Sequence, residues 1–150
     1  MDILIVDKFI MDLESYNLDD QIGYLLRKAY QRHLAIFQQY IGDSQLTAVQ
    51  FTVLYTVNLF GDCSQKKLVE HTAIDQATIR GIVERLIKRE LLVQQPDQND
   101  KRKVTISITA MGRQLFAEIL DNAKSISDKT LEPLNPAEIL ALIHTLKKII

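Results

Sequence analysis

Between Leu91 and Ile108 the spacing of apolar residues changes from helical to alternating, and after Thr109 it changes back. Val104, Ile106 and Ile108 alternate with Thr105 and Ser107, the period-2 pattern of a strand with one buried face. Leu91-Leu-Val-Gln-Gln95 reads as a second short strand, and the polar stretch from Pro96 to Lys103 as the turn between them. One hairpin set among helices predicts a mainly α fold with a small β-hairpin wing.

The helices around the hairpin are written in the 3.6-residue period. From Asp19 to Ile41 the apolar positions are Ile22, Leu25, Leu26, Ala29, Ile36, Phe37, Tyr40 and Ile41, with Asn17 or Asp19 as cap and Gly42 as stop. Thr47-Ala-Val-Gln50 has the capping-box form and opens a helix with Val49, Val53, Leu54, Val57 and Leu59 or Phe60 as its apolar set, stopped by Gly61. Ser64 caps a short helix with Leu68 and Val69. After a tight turn near Thr72–Ile74, Asp75 caps another with Ile79, Ile82, Val83, Leu86 and Ile87. Past the hairpin, Thr109 caps a helix carrying Leu115, Phe116, Ile119, Leu120, Ala123 and Ile126. Pro133 and Pro136 mark a break. A last helix holds Ile139, Leu140, Leu142, Ile143, Leu146, Ile149 and Ile150. Helix, helix, helix, hairpin is the winged helix-turn-helix order.

Composition narrows the function classes. An apolar fraction of 47% with 25% charged residues excludes collagen, low complexity and general disorder. No apolar run reaches the roughly 18–20 residues of a membrane helix. The apolar start, Met1 to Val6, carries Asp2 and precedes Asp7, unlike a signal peptide. Cys63 is the single cysteine, which excludes an intrachain disulfide or a four-cysteine zinc site, and the expected compartment is the cytoplasm. Catalysis lacks an inventory: His33, His71 and His144 stand in separate elements, and no metalloprotease, nucleophile-elbow or phosphate-loop motif occurs. The expectation is therefore a non-enzyme with no cofactor and no metal.

Net charge is only −1, but its distribution is uneven: −5 over residues 1–20, +1 over 21–63, +3 over 64–103 and zero over 104–150. A basic middle can seat on phosphates, although ordinary solvated helix faces account for +3 equally well.

Six segments sharpen that choice. Leu46-Thr-Ala-Val-Gln50-Phe51, Ala77-Thr-Ile-Arg-Gly-Ile-Val-Glu-Arg-Leu86, Leu91-Leu-Val, Asp100-Lys-Arg102, Ile108-Thr-Ala-Met-Gly112 and Leu134-Asn-Pro-Ala-Glu138 follow in order. Together, over about residues 20–150, they resemble the MarR family of transcriptional regulators. The resemblance implies a single MarR-like domain over 1–150, with the winged helix-turn-helix at about 46–110 and dimerisation helices at 1–41 and 111–150. It implies a cytoplasmic homodimeric repressor on a pseudo-palindromic double-stranded operator, with no membrane partner and with release by a small aromatic carboxylic acid. The stretch from Ile22 to Phe37 is similar to family members that regulate nicotinic-acid and aromatic-acid breakdown.

DNA-facing positions follow from chemistry within that frame. Gln76, Ala77, Thr78 and Arg80 open the recognition helix off its apolar stripe. Glutamine there can pair with adenine and arginine with guanine. The chain departs from the common family form at Gly81, where an arginine is frequent; Arg80 is its neighbour. Ser64, Gln65, Lys66 and Lys67 begin the preceding helix, where phosphates are favoured. At the hairpin tip the resemblance makes Arg102 a minor-groove reader held by Asp100, with Lys101 and Lys103 on phosphates. Arg85, Lys88 and Arg89 lie in the later turns, where bases also favour the helix dipole, and Lys88 and Arg89 read as mostly structural.

The apolar ends (Ile3, Leu4, Ile5, Val6, Phe9, Ile10 and Ile149-Ile150) suit burial against a second copy, with folding back onto the chain's own core as the other reading. For an effector acid, Arg27 or Arg32 can pair with the carboxylate, and His33 and Tyr40 can bond a ring substituent. A lone histidine in such a stripe is more often a core or interface residue than a ligand contact. Oxidation-sensing members carry cysteine near the start of the first long helix, where this chain has none. The competing function is a winged-helix protein–protein interaction module without DNA binding, which the near-neutral charge would suit and the Asp-Lys-Arg wing opposes.

Overall fold

The computed structural model describes residues 16–150; the N-terminal residues named above, Ile3 to Ile10, lie outside the described residues. Six helices and one hairpin follow in order: α1 (Ile22–Tyr40), α2 (Ala48–Phe60), α3 (Gln65–Thr72), α4 (Gln76–Lys88), β1 (Leu92–Pro96), β2 (Val104–Ile108), α5 (Ala110–Leu131) and α6 (Pro136–Ile149). The chain divides within α1 into two units, one ending at Ala35 and one running Ile36–Ile150.

In the first unit a 3-10 turn, Leu18–Asp20, precedes α1. Asn17 caps that turn, accepting from Asp19 N–H and donating to the Asp20 carboxylate at 2.7 Å. Neither Asn17 nor Asp19 therefore caps α1 itself, which begins at Ile22. Ile22, Leu25, Leu26 and Tyr30 on its apolar stripe are all exposed.

The second unit is built around α2. Thr47 and Gln50 close a reciprocal capping box, and Gly61 ends the helix at φ +70°. Val53, Leu54 and Val57 are wholly buried, and α2 packs on α3, α4, α5 and β2. Leu59 and Phe60 are exposed instead of joining this core. They lie in the last turn, where Phe60 stacks on His71 of α3 with ring centres 4.4 Å apart instead of entering the core. Ser64, Asp75 and Thr109 cap α3, α4 and α5, each accepting the N–H three residues on.

β1 and β2 pair antiparallel from Leu92 with Ile108 to Pro96 with Val104. The first strand thus starts one residue later than the sequence pattern suggests and takes in Pro96. Ile106 is buried but Val104 is exposed, because the hairpin runs beyond the core that covers its base. Cys63 pins that base: its N–H donates to Ile106 C=O, and Ile106 N–H donates back to Cys63 C=O. The Asp62 carboxylate accepts from the Ser107 hydroxyl beside it.

Glu90, between α4 and the wing, sits in the left-handed region at φ +58°. Its Cβ is strained there, and its side chain makes no hydrogen bond recorded for the described residues that would offset the strain. Glu90→Gly is expected to raise stability by about 0.5–1 kcal/mol, the relief exceeding glycine's greater unfolded freedom. A urea midpoint below that of the parent would contradict this.

Across α6, Asn135 and Glu138 form a second capping box with Pro136 at the first position. No residue of α6 is buried; Leu140 is 72% and Ile149 62% exposed. A helix this apolar and this bare calls for a covering surface.

Candidate nucleic-acid interface

Three structural features carry the polar groups singled out from the sequence. The first is the start of α3. Ser64 Oγ accepts from Lys67 N–H at 3.2 Å, so one of the unpaired N–H groups at this helix start is already satisfied. Gln65 and Lys66 follow it. Lys66 Nζ lies 3.9 Å from Glu70, both well exposed, a loose pair that phosphate oxygen can replace. Lys67 turns away instead, its Nζ 4.5 Å from the centre of the Phe60 ring.

The second is the start of α4. Asp75 Oδ1 accepts from Thr78 N–H at 2.9 Å and Oδ2 from the Thr78 hydroxyl at 2.6 Å. These bonds, the hydroxyl foremost, hold the Asp75 carboxyl below its ordinary pKa. They also commit the Thr78 hydroxyl proton. Toward a base edge Thr78 then offers a methyl group and a lone pair. Gln76 and Ala77 are exposed beside it. Arg80 Nε donates to Glu84 Oε1 at 3.1 Å, which leaves its terminal nitrogens for a bidentate contact. Glu84 was not among the positions singled out above, although its i,i+4 spacing from Arg80 is a readable signal.

The third is the wing tip. Asp97 Oδ1 accepts the N–H groups of Asn99 and Asp100, which folds the turn and lowers the Asp97 pKa. This role also went unread in the sequence, though Asp-Gln-Asn-Asp is turn-forming composition. Arg102 donates from its backbone N–H and from Nε to Asp100 Oδ1 at 3.1 and 3.2 Å. Its side chain is 93% exposed, so the guanidinium is steered by one edge and open at the other. Lys103 Nζ lies 4.0 Å from Asp100 Oδ2, and Lys101 is exposed.

Of the later basic residues, Arg85 and Lys88 lie in the last turn of α4. Arg89, the C-cap, is bonded to Asp43 at 2.5 Å with both side chains largely covered.

The candidate effector residues divide between the units. In the first, the Arg27 guanidinium sits 5.5 Å from the Tyr24 ring centre and Arg32 is exposed. His33 stacks on Tyr30 at 6.2 Å, and burial lowers its pKa, which favours the neutral imidazole. Tyr40 belongs to the second unit, with Lys129 Nζ 4.3 Å above its ring. Cys63 is buried, donates its thiol to Gly61 C=O, and has its pKa raised by that burial, the opposite of an activated thiolate. Among the described residues no group of three His, Cys, Asp or Glu side chains could hold a metal ion, and no helix is long and apolar enough to cross a membrane.

The chain is similar in sequence and fold to known proteins. Residues 44–103 match the model of the MarR family. The HTH-type transcriptional repressor NicR of Pseudomonas putida is 46% identical over 140 residues, 93% of this chain and 89% of that protein. Bordetella bronchiseptica BpsR, solved in work on the regulation of its DNA binding by 6-hydroxynicotinic acid, is 49% identical and superposes with a TM-score of 0.84 over 89% of this chain and 96% of that one. A mutant MarR from E. coli complexed with operator DNA has the same fold, with a TM-score of 0.81 at 22% identity over 90% of this chain and 99% of that one.

Proposed function

The chain belongs to the MarR family, and from that membership we propose that it is a homodimeric repressor whose hold on its operator is released by a hydroxylated aromatic acid of the 6-hydroxynicotinic type. It is a DNA-binding transcriptional regulator, and the family to which it belongs consists of regulators rather than enzymes. Its site of action in this proposal is the cytoplasm.

The observation that carries the DNA-reading part is the wing: an exposed guanidinium at a hairpin tip, aimed by a carboxylate two residues away. The minor groove of A·T-rich DNA is narrow and strongly negative, and it favours such a group. In this proposal Gln76 reads adenine, Arg80 reads guanine and Thr78 meets a thymine methyl or a base amino group. Ala77 lets the helix start approach closely. Ser64, Gln65, Lys66, Lys101 and Lys103 hold phosphates. In this proposal the winged helix-turn-helix spans about residues 46–110, and the flanking segments, 1–41 and 111–150, form the dimer. The bare apolar faces of α1 and α6 fit such a role. Arg27 or Arg32 pairs with the effector carboxylate; His33, whose neutral form burial favours, is one candidate to bond a ring substituent and Tyr40 is another.

The test is binding to the DNA upstream of the chain's own gene, titrated against salt, with and without 6-hydroxynicotinic acid. Affinity should fall with a log–log slope of about −0.9 per phosphate contact. It should exceed that for a random duplex by at least about 10³-fold, and the acid should lower it. Equal binding to both duplexes would sink the regulator reading. Release by no hydroxylated aromatic acid would sink the effector class alone.

A further inference from the structure

We infer that Asp43 and Arg89 are positioning residues for DNA recognition: their ion pair ties the end of the recognition helix and the root of the wing to the loop joining α1 and α2. This rests on the regulator reading given above.

The pair stands apart from the other ion pairs recorded for the described residues. Those join side chains no more than four positions apart, and each has at least one strongly exposed member. Asp43 and Arg89 are 46 positions apart, with side chains 14% and 25% exposed. Exposed neighbours exchange partners with water at little cost, whereas a covered, long-range pair has one geometry. Arg89 Nη1 is enclosed without a hydrogen bond, so Asp43 carries the compensation of that charge.

What the pair connects gives it its meaning. Arg89 is the C-cap of α4, its N–H donating to Arg85 C=O. Glu90 N–H then donates to Ile87 C=O and Leu91 N–H to Leu86 C=O, and Leu92 begins β1. A shift of Arg89 thus moves the recognition helix and the wing root together. On the other side, the loop is gripped twice. Asp43 Oδ1 accepts from Gln45 N–H, and the C=O of wholly buried Ile41 accepts from Asn122 Nδ2 of α5 at 3.1 Å. Gly42 lies between at φ +88°, so close that a Cβ would stand 2.8 Å from that amide nitrogen. The route runs from α5 through the loop and the ion pair to α4 and the wing. Buried ion pairs are weak sources of stability, and their best-attested use is to select one arrangement among several.

The sign of the Asp43→Asn effect separates this role from plain electrostatics. Removing an acid from a DNA-binding lobe strengthens phosphate attraction, so a purely electrostatic Asp43 predicts tighter binding. Positioning predicts the reverse. Operator and random-duplex affinities are measured for the parent, Asp43→Asn, Arg89→Gln, the double variant and Arg89→Lys, with the dimer checked by sedimentation. Each single variant should lose about tenfold in operator affinity and less than threefold on random DNA. The double variant should lose no more than the worse single, because the two residues act as one link. Arg89→Gln should leave the salt slope unchanged, whereas a direct phosphate contact would reduce it by about one. Tighter binding by Asp43→Asn, a reduced slope for Arg89→Gln, or operator affinity of the double variant within twofold of the parent would each overturn the inference. If a single variant fails to fold because it strands a charge, the double variant, which strands none, decides. If that also fails, Arg89→Lys decides: it keeps the charge but not the planar fork, and operator affinity equal to the parent's would overturn the inference. A parent that shows no operator preference refutes the regulator reading instead, and this one with it.

Discussion

Arg102→Ala should weaken operator binding by about 1–3 kcal/mol, roughly 5- to 150-fold, while leaving the dimer and its thermal stability unchanged. The stability half follows from exposure. The side chain is 93% free, and its only recorded partner is a carboxylate two residues away, so the folded state loses almost nothing. The binding half follows from what Asp100 does. With Nε occupied at 3.2 Å, the guanidinium is already oriented before DNA arrives, and less rotamer freedom is lost on insertion. Asp100→Ala should therefore also weaken binding despite removing a negative charge, though less than Arg102→Ala. Lys101→Ala is the contrast: a loss spread evenly over all sequences and a salt slope reduced by about one. Electrophoretic titration of the three variants on operator and random duplex measures both quantities. Operator affinity of Arg102→Ala equal to the parent's would remove the wing from the interface.

Local chemistry was the legible part of this chain. Thr47 with Gln50, Ser64, Asp75 and Thr109 each satisfy an N–H within three residues, so their roles are written in adjacent letters. The wing tip is equally local, since Asp100 and Arg102 are two residues apart. Errors came where neighbours decide. Leu59 and Phe60 continue the helical stripe of α2, yet both stay exposed: Phe60 meets His71 and Lys67 of α3 rather than the core, and periodicity cannot report where the core ends. Val104 alternates correctly with Ile106, but the hairpin outruns the core beneath it. Asn17 has the right chemistry for a cap and spends it on a 3-10 turn. The Asp43–Arg89 pair obeys no spacing rule, because it spans 46 positions and exists only once the helices have packed. Cys63 pairing with Ile106 is hidden for the same reason.

Gly112→Ala shows how one position can reverse a propensity. Within a helix, alanine ordinarily gains about 1 kcal/mol over glycine. Gly112 is in the first turn of α5, where the helix starts against the root of the wing, and a Cβ there would lie 2.2 Å from Leu91 O and 2.8 Å from Ile108 Cγ1. The nearer atom is backbone and cannot swing aside. Leu91 C=O also accepts from the N–H of Thr109, the cap residue of the same helix, whose hydroxyl donates to Glu90 C=O at 2.6 Å. Moving it would break the junction that joins wing to helix, and leaving it would overlap two atoms. The expected loss is about 2–4 kcal/mol, the upper range of overpacking because the obstacle is main chain. For a chain of this size that is a melting temperature lower by roughly 5–12 °C, compared at equal protein concentration. Gly81→Ala in α4 is the internal control: no atom lies within 4 Å of its Cβ, so it should be neutral or stabilising by up to about 1 kcal/mol. Thermal unfolding of both variants reads the difference directly. A Gly112→Ala protein as stable as its parent would mean that the wing root and α5 do not meet at this distance.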